Sequence, residues 1–150
     1  MSKSIGLLHL NLNVADIIRS EHFYQQVFGY VRITDTSGEV ERQGAGVFLK
    51  QIIMGMPGSN DLLALSELEG DPVGSHGMSH FGIIVEDEEV EILTKKVESC
   101  GGNILKQGLR EENGVKEPFA YVRDPDGYAI EIASQQIVYS MDFRRAVGLE

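Results

Sequence analysis

Gly6-Leu-Leu-His9-Leu-Asn-Leu-Asn-Val14-Ala-Asp16 returns later in the chain as Gly77-Met-Ser-His80-Phe-Gly-Ile-Ile-Val85-Glu-Asp87. Glycine, histidine, valine and aspartate recur at one constant offset, so the chain is an internal duplication, and a repeat sets the architecture before any local reading does. It also puts two histidines in equivalent slots, where a fold with a two-fold axis can bring both to one metal ion.

Outward from the repeat, the halves run about 6–69 and 77–135. A joint at 70–76, rich in glycine, proline and serine, separates them, and a tail covers 136–150. In Leu7–Val14 the even positions are Leu8, Leu10, Leu12 and Val14, while the odd positions carry His9, Asn11 and Asn13. Side chains alternate across a strand, so one face is apolar and the other polar. Ser79–Val85 divides in the same way. Asp16 and Asp87 have the chemistry of helix N-caps. The first helix carries an apolar stripe through Ile17, Tyr24 and Val27/Phe28 and stops at Gly29. The second carries Val90, Leu93, Val97 and Cys100, with glutamates at its start and Gly101-Gly102 at its end. Extended stretches at about 30–37, 44–53 and 61–68, then 103–108, 117–124 and 128–135, complete two β-α-β-β-β modules. Asp124-Pro-Asp-Gly127 is a strong turn between the last two strands.

The bulk properties narrow the function. At 150 residues and 42% apolar the chain can bury a core without disulfides. No apolar run reaches the roughly 18–20 residues of a membrane span, and no basic-then-apolar leader opens the chain. With one cysteine, a reducing cytoplasmic location is expected. A net charge of −10 repels nucleic acid and acidic membranes, so neither is expected as a partner. A small molecule is.

Glu131 stands mid-strand between Ile130 and Ile132. Either it lies on an ordinary solvated face, or it converges with His9 and His80 on one cavity, since a buried carboxylate needs a partner. Two imidazoles and one carboxylate on one side of a metal leave up to three positions for substrate, water or oxygen. That set suits Fe(II) or Mn(II) first, with Ni(II) and Zn(II) as further candidates. When 62–66 is laid on 129–133, Ala64 falls where Glu131 stands.

These residues resemble the vicinal oxygen chelate superfamily, which includes glyoxalase I, extradiol dioxygenases, fosfomycin-resistance transferases and bleomycin-binding proteins. The resemblance rests on His9-Leu-Asn-Leu-Asn-Val with Phe23-Tyr-Gln-Gln-Val-Phe-Gly29, on His80-Phe-Gly-Ile-Ile-Val, and on Tyr121-Val-Arg-Asp-Pro-Asp-Gly-Tyr-Ala-Ile-Glu131. It implies an α+β fold over the whole of 1–150, one domain of two paired βαβββ modules forming a cup-shaped sheet around a metal site, within a homodimer. It implies His9, His80 and Glu131 as ligands of one divalent ion. The fourth ligand of glyoxalase I-like enzymes would fall at Ala64, which cannot bind metal, whereas extradiol dioxygenases use three. In those dioxygenases the residue matching Tyr121 hydrogen-bonds the substrate, so Tyr121 is the candidate catalytic residue, with core packing as its alternative. The dioxygenase signature's upstream histidine has no counterpart here.

Arg123 is a candidate for steering a substrate carboxylate or phenolate, or else an exposed salt-bridging residue. Asn11 and Asn13 share the face of His9 and could orient a bound water or substrate oxygen, or cap a solvated rim. The expected activity is that of an extradiol-dioxygenase-like oxidoreductase. A glyoxalase I-like lyase or isomerase and a non-catalytic bleomycin-resistance-like binder are the alternatives.

Overall fold

In the computed structural model, residues 9–42, 46–59, 61–68, 80–112 and 114–134 are described. The expected joint at 70–76, the tail at 136–150 and the first residues of both repeated strands lie outside them. The chain divides into two units, Met1–Gly74 and Ser75–Glu150.

The first unit runs β1 (Leu10–Val14), α1 (Ile17–Phe28), β2 (Val31–Arg42), β3 (Gly46–Gly55) and β4 (Leu62–Glu67). Its sheet has the order β1-β4-β3-β2, with β1 parallel to β4 and the other neighbours antiparallel. The second unit repeats the plan with β5 (Phe81–Ile84), α2 (Asp87–Ser99), β6 (Asn103–Glu112), β7 (Val115–Arg123) and β8 (Ala129–Ala133). Its order is β5-β8-β7-β6, with β5 parallel to β8. The expected α+β class and twofold βαβββ plan are therefore present.

Period-two alternation explains which face each sheet buries. Leu12, Val14, Ile52, Met54, Leu63 and Leu65 share the helix-facing side of the first sheet, each at most 2% exposed. Ile83, Val122, Ile130 and Ile132 do the same in the second, against Val90, Thr94 and Val97 of α2. The opposite faces carry the polar side chains, and these hold the candidate chemistry.

Asp16 caps α1, its Oδ1 accepting from Arg19 N at 3.0 Å. Gly29 ends the helix at φ 77°, a left-handed conformation that costs glycine little. A second carboxylate reaches the same helix from far along the chain: Glu67 Oε2 accepts from Ile17 N at 2.7 Å. Glu67 thereby satisfies an orphan amide at the positive helix end. Glu67→Ala should cost about 0.5–2 kcal/mol, the range for a lost cap, read as a lower urea midpoint at unchanged slope; an unshifted midpoint would contradict the role.

Two local expectations are corrected. Glu86, not Asp87, is the N-cap of α2, and Asp87 joins Glu88 and Glu89 in its first turn, where negative charge meets the helix dipole. Cys100 is the half-exposed C-cap, and Thr94 completes the buried stripe. Burial of Thr94 costs little because its hydroxyl donates to Val90 O at 2.6 Å. The β6–β7 ladder also runs further than expected, through Arg110↔Glu117 to Glu112↔Val115.

Candidate metal and substrate site

The turn at Asp124–Gly127 aligns the second unit's site. Asp124 Oδ1 accepts from Asp126 N at 3.0 Å and from Tyr128 N at 2.9 Å, and Gly127 takes φ 98°. The ladder it starts pairs Tyr121 with Glu131 and Phe119 with Ala133. Parallel pairing of β5 with β8 sets Gly82 beside Glu131, and His80 just precedes β5 on the same face.

His80, Glu131 and Tyr121 are thus brought together. His80 Nε2 lies 3.2 Å from Glu131 Oε2, and the His80 and Tyr121 rings meet edge-on at 5.4 Å. Arg110 joins them from β6, its Nη1 donating to Glu131 Oε1 at 2.6 Å. Arg110 Nε donates to Glu117 Oε1 at 2.7 Å, and Ser134 Oγ donates to Glu117 Oε2 at 2.9 Å. Nη2 lies 2.6 Å from the same Glu117 oxygen as an ion pair, without hydrogen-bond alignment. A cavity of about 230 Å³ opens here, lined by Gly82, Ile84, Arg110, Glu131 and Ala133 among others.

Two protonation preferences follow. Burial raises the Tyr121 pKa, and the Glu131 charge and a hydrogen bond to it raise it further, with Arg110 pulling the other way. The phenol therefore stays protonated at neutral pH and serves as a donor. For Arg110, desolvation works against the charge, but its bonds to Glu131 and Glu117 outweigh that and raise its pKa.

The donor atoms fit a divalent ion. Two ligands bound at right angles with bonds of about 2.1–2.2 Å stand about 3 Å apart, and His80 Nε2 and Glu131 Oε2 have that separation. Among the described residues, no cluster of three or more His, Cys, Asp or Glu is arranged to hold a metal.

The first unit presents amide and hydroxyl side chains on the corresponding face. His9 is exposed immediately before β1. Asn11 Oδ1 accepts from Ser66 Oγ at 3.0 Å, and that buried hydroxyl accepts from Gln51 Nε2 at 3.0 Å. Asn13 is half-buried in register with Ser66, and Asn11 with Ala64, which is 2% exposed.

Arg123 lies exposed at the end of β7, with Nη1 donating to Gly127 O at 2.7 Å. The sequence reading missed Arg110 and Glu117 as members of the site. Even spacing along 117, 119, 121 and 123 already places Glu117 on the face of Tyr121. A buried charge there calls for a cation across the hairpin.

A family model described as Glyoxalase/Bleomycin resistance protein/Dioxygenase superfamily matches residues 6–132. A lactoylglutathione lyase of Haemophilus influenzae is 31% identical over 130 residues, covering 83% of this chain and 89% of that protein. Among solved structures, the trypanothione-dependent glyoxalase I of Leishmania major matches with a TM-score of 0.67 at 23% identity, over 98% of this chain and all of that one (100%). The fosfomycin resistance protein FosX of Listeria monocytogenes, complexed with Mn(II) and sulfate, matches with a TM-score of 0.66 at 19% identity, over 91% of this chain and 97% of that one. With both structures this chain shares a fold.

Proposed function

We propose a lyase reaction for this chain, which belongs to the Glyoxalase/Bleomycin resistance protein/Dioxygenase superfamily and is a metal-dependent enzyme of it. The proposed substrate is a thioester of a 2-hydroxy acid, interconverted with a 2-oxoaldehyde and a free thiol. The observation that carries the reading is the divided carboxylate of Glu131, one oxygen toward His80 and the other on Arg110, with the Tyr121 ring edge-on to His80. The relative named lactoylglutathione lyase supports this substrate class over the dioxygenase substrate expected from Tyr121.

In the thioester-forming direction the thiol sulfur bonds to the aldehyde carbon, and the proton of that carbon passes to its oxygen-bearing neighbour. The Glu131 carboxylate in the cavity is the base that would carry it. His80 and Glu131 would hold a divalent ion, Mn(II) or Fe(II) by preference, with His9 as the proposed third ligand. When bound, the ion supplies Lewis-acid stabilisation of charge on those two oxygens. Tyr121 would turn its one phenolic proton from Glu131 to developing oxyanion charge, a role as donor that a raised pKa favours. Asn11 offers an amide to the polar part of the substrate, with Asn13 beside it. Ile84 and Ala133 give the cavity wall an apolar part. A homodimer belongs to the same reading.

The test is metal analysis of protein purified without added metal, followed by thioester formation from a 2-oxoaldehyde and glutathione. Near-stoichiometric divalent ion, lost in His80→Ala together with thioester formation, is the expected result. Metal-free protein, or oxygen uptake on catechols with no thioester formed, would sink the lyase reading.

A further inference from the structure

Among the described residues of the second unit Glu117 is the most completely buried charge, at 0% exposure, and the lyase chemistry gives it no task. Antiparallel register sets it directly across from Arg110. Both its oxygens are used, one by Arg110 Nε and the other by Ser134 Oγ. The guanidinium also lies over the Phe119 ring, 5.5 Å from its centroid. Arg110 is thus gripped by a carboxylate on one edge and an aromatic face on another. Its remaining arm, Nη1, reaches Glu131 Oε1 at 2.6 Å.

We propose that Arg110, itself fixed by Glu117, is a positioning residue that pins one oxygen of Glu131 so that the other alone faces His80 and the metal. This rests on the reading of His80 and Glu131 as ligands. A free carboxylate rotates about its last torsion and offers a metal either oxygen or both. Holding Oε1 removes that choice, and coordination positions that a bidentate carboxylate would occupy stay open to the substrate's two oxygens. A planar fork makes both contacts at once; an ammonium is a single point and cannot. Supporting contacts of this kind typically carry about 10–100-fold in metal affinity.

Calorimetric titration of the metal-stripped full chain with Mn(II) tests the proposal. Arg110→Lys keeps the charge without the fork, and the double variant Arg110→Met/Glu117→Gln removes both buried charges together, so neither leaves a bare ion in the core. Both should bind Mn(II) about 10–100-fold more weakly than the parent. Val122→Ala on the same strand, which only loosens the core, should bind as the parent does. Parent-like affinity in both Arg110 variants, or equal weakening in Val122→Ala, overturns the proposal. A flat titration of the parent itself, indistinguishable from Glu131→Ala, overturns the ligand reading and the positioning role with it.

Discussion

Glu131→Ala should leave a folded protein with background metal content and turnover reduced by more than the roughly 100-fold that loss of a supporting contact costs. Three consequences fall on one atom group. The oxygen facing His80 disappears, the hydrogen bond to Tyr121 goes, and Arg110 loses the acceptor of Nη1. The fold should tolerate the change, because the Arg110 side chain is 27% exposed and water can take the place of the lost acceptor. Elemental analysis, thioester formation and a thermal melt on one preparation separate these effects. Retained metal with retained turnover would place the chemistry elsewhere.

The largest expected stability loss lies in the other unit. Phe23→Ala should cost about 3–5 kcal/mol, the range for emptying a buried aromatic site. Phe23 and Tyr24 are both 0% exposed. Phe23 meets Tyr24 edge-on at 5.3 Å and Phe28 at 5.9 Å, while Tyr24 in turn meets Tyr30 at 6.2 Å. The four rings brace one another at geometries their quadrupoles favour, so a void at Phe23 is not easily refilled. Against a total of about 5–15 kcal/mol, that loss is a large share. Urea denaturation followed by tyrosine fluorescence would show it, and a loss below about 1 kcal/mol would contradict the packing.

What was legible in the sequence followed from periodicity. Alternation in the two repeated segments located the buried faces, and Asp16, Gly29 and the Asp124–Gly127 turn bounded the elements because each meets a backbone requirement few residues meet. The two repeats aligned the modules, and Tyr121, named through the resemblance alone, pairs with Glu131 in the ladder. Arg110 was less accessible. It sits within an acidic run, Arg110-Glu-Glu-Asn-Gly-Val-Lys-Glu117, which reads as a solvated loop on composition. Only the ladder carrying β6 and β7 to Glu112↔Val115 makes it a strand residue facing Glu117. Cross-strand partnership depends on where a hairpin closes, and local composition records that poorly.

The Asp124–Gly127 turn also bears on how this chain can change over evolutionary time. Side chains on a strand alternate, so losing or gaining a single residue there would exchange the two faces of β8. Ile130 and Ile132 would then look into the cavity, and the Glu131 carboxylate would be driven into the apolar layer beneath α2. Replacements at Pro125 or Asp126 can be absorbed one at a time, whereas a change in the turn's length destroys site and core in a single event. Descendants of this chain should therefore vary in length elsewhere and keep the spacing from Tyr121 to Glu131.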